Sequence, residues 1–300
     1  MKALIIGWGS IGKQHAAALE ALGAECAVVT QQEAVGKVFR DIGQAVHTFK
    51  PTYVVVSNRT ADHLQAVENL SRAGFSGKVL VEKPLFHTNV PVPPNTFLKL
   101  AVGYQLRFHP VVRELARRVK NERIISCHCY CGQYLPTWRP STDYRSSYSS
   151  HREQGGGVLR DLSHELDYLT WILGKPIMMH AFGGKYSSLE IRSEDVVGIS
   201  AQFEKCPVVT VQLNYLDRLG RRECTVVTDS HTFHADLVNS TFRIDADAPL
   251  VLNTSRLEML QALHSSMIDD VPPSICSESE GLALLGYIEQ VEAQLTPLIP

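Results

Sequence analysis

Residues 7–12 read Gly-Trp-Gly-Ser-Ile-Gly and follow directly on an apolar run at 2–6. Glycines at the spacing G-x-G-x-x-G constrain a chain severely, because each meets a different steric demand: a tight turn, close approach of backbone to a pyrophosphate, and close packing of a helix on a strand. The Ala-rich stretch 10–22 suits a helix whose first amides would face that phosphate. Gly7, Gly9, Ser10, Ile11 and Gly12 are thus candidate cofactor-binding residues. In such a unit an acid near the tip of the second strand, about 20 residues on, takes the ribose hydroxyl. Here the second apolar run, 25–30, ends in Thr30, Gln31 and Gln32, with Glu33 next. No acid stands at that tip, and Lys37 and Arg40 lie further along. The cofactor reads as NAD or NADP, leaning to NAD through Glu33.

Further apolar runs at 53–57, 78–81 and 100–104 alternate with helical patterns at 42–49 and 60–73. Continuous apolar strands separated by helices predict a parallel sheet covered on both faces. The character changes near Arg107. A helix pattern at 109–121 leads into a strand at 124–134, a polar and aromatic segment at 135–154, and one long helix at 158–173 that stops at Gly174 with Pro176 beyond. Strand-like alternation follows from 177 to about 244, and helices at 255–268 and 278–295 close the chain. The expected fold class is α/β plus α+β: a Rossmann dinucleotide-binding domain at 1–106, and at 107–300 an open, mostly antiparallel sheet domain for substrate binding and oligomerisation. The last helices are free to pack back on the first domain. An open sheet would leave an apolar outer face, so a homodimer or homotetramer is expected.

Composition removes other classes. Lys and Arg total 29 against 31 Asp and Glu, a net charge of −2, and a duplex-binding surface needs a basic excess. No apolar run approaches the roughly 18 residues of a membrane span, and the first is too short for a signal peptide. Neither nucleic acid nor membrane is an expected partner, and the location reads as cytoplasmic. Seven cysteines argue against a disulfide framework. Cys127, Cys129 and Cys131 share one face of a strand and read as a buried small-residue surface, without the spacing of a zinc site. No metal is expected.

Two more segments carry chemistry. Glu82-Lys83-Pro84 ends an apolar strand, where doubly wound sheets bind ligands, and a lysine there has no packing role. Asn58, Thr60 and His63 follow the preceding strand at the same edge; they either touch the nicotinamide end of the cofactor or, for His63, lie on an exposed helix face. Residues 155–174 place three glycines before a helix with Asp161, His164, Glu165 and Asp167. At helical spacing three, two carboxylates flank His164 and would fix its tautomer and raise its basicity. Leu162, Leu166, Leu169 and Leu173 take the opposite side.

The glycine turn, Glu82-Lys83-Pro84, the segment at 103–110 and the segment at 155–174 together resemble the glucose–fructose oxidoreductase / inositol dehydrogenase (Gfo/Idh/MocA) family over nearly the whole chain. The resemblance implies a Rossmann domain for NAD(P), an open-sheet domain for substrate, Lys83 and His164 as catalytic residues, and Tyr104 and Arg107 toward the substrate. It departs twice. The family pattern separates the first Asp from His by four residues, and here Asp161 stands one too close. Where the family has a helix, 85–99 carries Pro91, Pro93 and Pro94, which exclude a regular one.

The implied activity is hydride transfer between nicotinamide and a hydroxyl/carbonyl carbon of a sugar or derivative, with a nucleotide sugar or amino-sugar acid precursor among the candidates. The segment at 161–168 also resembles members serving nonulosonic (sialic-like) sugar pathways. Tyr134, Trp138, Arg139, Tyr144, Arg145 and Tyr148 suit a polyhydroxylated ligand, and the arginines a carboxylate or phosphate. The alternatives are a catalytically silent dinucleotide-binding regulator and an imine or double-bond reductase.

Overall fold

The computed structural model describes residues 1–139, 143–271 and 275–296. They form two compact units, one of Met1–Phe108 with Ser255–Gly286, the other of His109–Thr254 with the chain from Tyr287.

In the first unit, β1 (Lys2–Ile6), α1 (Ser10–Ala21), β2 (Glu25–Val29), β3 (Lys37–Phe39), α2 (Ile42–Phe49), β4 (Tyr53–Val56), α3 (His63–Arg72), β5 (Lys78–Val81) and β6 (Lys99–Val102) follow in turn. The helices form for local reasons. α1 buries Gly12, His15, Ala16 and Leu19, the single stripe of an amphipathic helix. α2 starts at Asp41, whose carboxylate accepts from the Gln44 amide at 2.7 Å. The strands lie in the order β3-β2-β1-β4-β5-β6, all parallel. This doubly wound order reverses between β1 and β4, where such sheets open a ligand crevice. The proline-rich segment between β5 and β6 contains no helix. It is tied down by the Ser71 hydroxyl donating to the Pro94 carbonyl at 2.7 Å and by the Leu98 amide donating to Ser76 and Gly77.

The second unit holds α4 (Pro110–Val119), β7 (Ile124–Gly132), α5 (Val158–Asp161), α6 (His164–Leu173) and seven further strands: β8 (Pro176–Gly184), β9 (Val196–Phe203), β10 (Cys206–Asn214), β11 (Arg221–Thr228), β12 (Thr232–Asp236), β13 (Thr241–Ile244) and β14 (Leu250–Val251). Their order is β14-β13-β12-β11-β7-β10-β9-β8, antiparallel except between β7 and β10. One face is buried through Cys127, Cys129, Cys131, Val209, Val211, Leu213, Cys224 and Val226. The three β7 cysteines belong to that packed face: Cys129 Sγ lies 3.0 Å from the Tyr168 hydroxyl, all seven cysteines are free, and the described residues contain no metal-binding group.

The outer face differs from the apolar one expected. Pairing register sets Arg243, His234, Thr225, His128, Thr210, Ser200 and His180 in one row across seven strands. Each position of that row is polar, and cross-strand bonds join two pairs in it, His128 with Thr210 at 2.8 Å and Thr225 with His234 at 3.1 Å. Exposed apolar side chains are fewer, among them Ile177, Met178, Phe182 and Val208.

The chain then forms α7 (Arg256–Asp269), β15 (Cys276–Ser277) and α8 (Glu278–Glu292). A capping box between Ser255 and Glu258 starts α7, which packs on α1, and β15 adds an antiparallel edge to β6. Among the described residues no helix is long and apolar enough to cross a membrane.

The helix expected at 158–173 is broken. Asp161 ends α5, Leu162 and Ser163 turn, and His164 begins α6. The start of α5 is built around Glu194, 4% exposed, whose Oε1 accepts from the Leu159 amide at 3.1 Å. Gly157 has φ +119°, and a side chain there would strike that carboxylate. Burial pushes the Glu194 carboxyl up to about 7. Its folded pKa thus exceeds the unfolded value, the native state holds the extra proton, and stability falls as pH rises through the interval from the ordinary carboxylate range to about 7. Glu194→Gln is expected to gain stability progressively across that interval and to keep the gain above it, up to roughly 3 kcal/mol at 1.36 kcal/mol per pH unit. Urea unfolding at pH 5 and pH 8 checks this; equal effects at both would contradict it.

Candidate functional site

In the first unit the site begins at the glycine turn. A Cβ on Gly12 would lie 2.2 Å from the Gly7 carbonyl oxygen, so only glycine lets α1 approach β1 this closely. Gly9 is different: a Cβ there meets nothing within 4 Å, and its backbone, φ −74° and ψ −172°, admits any residue. Gly9 caps α1 without a side-chain hydrogen bond. The first-turn amides at Ser10, Ile11 and Gly12 have no partner within the helix by geometry. An open space beside unengaged amides at a helix N-terminus is a fit for a pyrophosphate.

Asn58 follows β4 on the other side of the reversal point. Its Oδ1 is buried and has no hydrogen-bond partner among the described residues, an acceptor available to a ligand's donor. Thr60 opens a short turn leading to α3.

His63 is buried, not on the exposed helix face that the sequence allows. It is 1% exposed, with Nδ1 3.1 Å from the Pro84 carbonyl and Nε2 3.3 Å from that of Asn58. It therefore braces the loop after β4 against the loop after β5, and burial lowers its pKa.

At the tip of β2, Thr30 is buried and its hydroxyl accepts from the Gln32 amide. Arg40, distant in sequence, stands at this tip because β3 pairs with β2. Its guanidinium donates to the carbonyls of Thr30 and Gln32 at 2.6 and 2.9 Å.

Glu82 and Lys83 follow β5. The Lys83 amide donates to Glu82 Oε2 at 3.2 Å, and Glu82 Oε1 lies 2.8 Å from His15 Nε2. Gly103 leaves room for that carboxylate, since a Cβ there would come within 2.8 Å of it. Burial pushes the Glu82 carboxyl up, but the His15 hydrogen bond and the charges of His15, Lys83 and His63 outweigh it and leave it below its ordinary value. Sequence reading did not single out His15 or its partner His264. Tyr104 and Arg107, placed toward substrate by resemblance, are buried at 1% exposure, and Arg107 pairs with Glu280 at 3.1 Å.

The second unit holds Asp161, His164 and Asp167. All three are buried. The break between α5 and α6 removes the helical relation assumed between Asp161 and His164, while His164 and Asp167 remain three apart on α6. Asp161 accepts from the Tyr215 hydroxyl at 2.7 Å, and its charge raises the pKa of Tyr148. Glu165 faces away into a two-point pair with Arg222, at 2.8 and 3.2 Å.

The aromatic segment divides. Arg145 is held by Asp143 and Glu190, and Tyr134 lies under Arg218, 4.3 Å from its ring centre. Leu135, Trp138, Arg139, Tyr144 and Ser147 line a small, shallow depression. The buried indole Nε1 of Trp138 has no partner among the described residues.

Comparison with known proteins matches residues 111–234 to the GFO/IDH/MocA C-terminal domain. No curated protein sequence matches the chain. Among solved structures, UDP-N-acetylglucosamine 3-dehydrogenase GnnA from Acidithiobacillus ferrooxidans is similar with TM-score 0.80 and 18% identity, covering 98% of this chain and 97% of that one. Levoglucosan dehydrogenase in complex with NADH is similar with TM-score 0.82 and 14% identity, over 98% and 96%. GenD2 from gentamicin A biosynthesis in complex with NAD gives TM-score 0.78 and 21% identity, over 98% and 93%.

The open space at Gly9 separates binding from folding. Gly9→Val is expected to leave cooperative unfolding intact and to weaken dinucleotide binding at least about tenfold, 1.4 kcal/mol. Calorimetric titration with NADH checks this, and unchanged affinity would refute the role of the turn.

Proposed function

We propose that the chain is a Gfo/Idh/MocA-type NAD-dependent dehydrogenase acting on a hydroxyl/carbonyl carbon of a sugar or sugar derivative, a reading supported by the match of residues 111–234 to the C-terminal domain of that family. The observation that carries this reading is one parallel sheet bearing an open glycine turn after β1 and a lysine at the tip of β5. When bound, the nicotinamide would exchange a hydride with the substrate carbon. Ser10, Ile11 and Gly12 amides hold the pyrophosphate, and Asn58 Oδ1 accepts a hydrogen bond from the cofactor. NAD is favoured over NADP because Arg40 is committed to the carbonyls of Thr30 and Gln32.

Lys83 takes the hydroxyl proton as the substrate is oxidised and returns it on reduction. His164 shares that proton transfer and steadies the oxygen, with Asp167 orienting its ring. Solved structures of similar fold are titled as acting on a UDP-sugar and on levoglucosan. The buried indole N–H of Trp138, without a partner among the described residues, and the neighbouring Arg139 guanidinium offer donors to an oxygen-rich ligand. A nucleotide sugar is the first substrate class to try. Seven free thiols accord with a cytoplasmic location.

A screen of nucleotide sugars and free sugar acids, read by absorbance with NAD and NADP, tests the proposal. On any substrate found, Lys83→Ala is expected to lower kcat by about 10²–10⁴ with NAD affinity little changed, and His164→Ala likewise. The double variant should lose less than the product of the singles, since residues acting as a unit are non-additive. Near-wild-type turnover in Lys83→Ala would overturn the assignment.

Self-association through the outer face of the eight-stranded sheet completes the proposal, as a homodimer or homotetramer. Light scattering at micromolar concentration should give at least a dimer mass, and a monomer would remove the idea.

A further inference from the structure

Three buried side chains from three elements and the partly buried Glu82 beyond β5 lie in one hydrogen-bonded line in the first unit. Tyr53 at the start of β4 meets His264 of α7, with Oη to Nδ1 2.8 Å. His264 Nε2 meets His15 Nδ1 of α1 at 3.0 Å, and His15 Nε2 meets Glu82 Oε1 at 2.8 Å. Both imidazoles are fully buried, and Ala16, Leu19, Leu260, Leu263 and Met267 pack around them. The titratable groups facing the chain are its own members, with Lys83 and His63 acting on Glu82.

The hydrogens can be counted. Burial keeps the Tyr53 phenol protonated and lowers the pKa of His264, so His264 is neutral. With Glu82 ionised, its oxygen only accepts. His15 therefore donates from Nε2 to Glu82. The neutral His264 joins His15 to Tyr53, giving one proton to one neighbour and accepting from the other.

We propose that Tyr53, His264 and His15 are positioning residues, a buried hydrogen-bonded chain that holds the Glu82 carboxylate in place and so sets the backbone and charge environment of Lys83. The link to Lys83 is its own amide, which donates to the other oxygen of Glu82 at 3.2 Å. The role rests on the reading of Lys83 given above. The chain does not conduct protons to solvent, because it ends in a tyrosine 1% exposed.

The first test needs no activity. In ¹⁵N-histidine NMR of the intact protein between pH 5 and 8, with signals assigned by His15→Gln and His264→Gln, His15 is expected to keep a proton on Nε2 and His264 to stay neutral. A His15 ring without the Nε2 proton, or titration of His264 near the ordinary value of about 6.5, overturns the chain whatever the enzyme does. The second test is Tyr53→Phe, which removes only the terminal hydroxyl. NAD affinity should stay within about twofold while kcat falls about three- to tenfold, the equivalent of one neutral hydrogen bond. The acid limb of the kcat profile should move up by about half a pH unit, because a less firmly held Glu82 takes its proton earlier. A lower melting temperature with unchanged kcat and pH limb would mark a merely structural chain and overturn the positioning role. Loss of the dehydrogenase reading would show separately, as full turnover in Lys83→Ala.

Discussion

The first unit depends on one backbone contact, the approach of α1 to the end of β1. A Cβ on Gly12 would stand 2.2 Å from the Gly7 oxygen, and a Cβ on Gly7 would stand 2.5 Å from the Asn58 amide nitrogen. Two missing side chains let β1, β4 and the helix meet in a volume where any larger residue would force them apart. The helix N-terminus is thereby aimed at the reversal point of the sheet, where its dipole and amides favour an anion. The same placement carries His15, one turn further along α1, to within 2.8 Å of Glu82. The turn proposed to hold the cofactor and the support beneath Lys83 thus follow from a single steric condition.

In the second unit a helix is broken by a two-residue turn. α5 ends at Asp161 and α6 begins at His164, with the Leu162 amide bonded to Val158 and the Asp167 amide to Ser163. The turn lets the Asp161 carboxylate reach the Tyr215 hydroxyl, so the buried charge is hydrogen-bonded.

Local patterns were legible from the chain. The glycine turn, the continuous apolar strands, the helix at 42–49 and the loss of a helix to Pro91, Pro93 and Pro94 follow from steric rules acting within a few residues. The cysteine face was legible through the period of two in β7. What escaped was set at long range. β3 is three residues long, too short to show a pattern, yet it brings Arg40 to Thr30. His15 and His264 are 249 residues apart, and each alone looks like an ordinary helix histidine. Arg145 read as a free cation because the sequence does not show that Glu190 reaches it. The polar row on the outer sheet face needs the register of seven strands, which no single strand contains.

The two units recognise by different means, and this bears on which properties can change independently. The proposed cofactor turn works through backbone amides and the absence of side chains, so most substitutions at Trp8, Ser10 or Ile11 leave its chemistry in place while those at Gly7 or Gly12 destroy its shape. The proposed substrate segment works through side chains held on short turns. Arg145 is fixed by Asp143 and Glu190, Arg139 bonds Ser147 at 3.2 Å and lies 5.3 Å from the Tyr148 ring centre, and Trp138 packs edge-on against Tyr215, which in turn bonds Asp161. The ligand-facing atoms there, the Trp138 N–H and the outer donors of Arg139, are not the atoms that hold the turns together. Substrate preference can therefore shift by replacing Trp138 or Arg139 at a modest cost in stability, as expected for sites grafted onto a scaffold. The Tyr215–Asp161 bond is the point where the two demands meet, because it supports both the indole and the end of α5. A change there would alter the depression and the α5–α6 turn together.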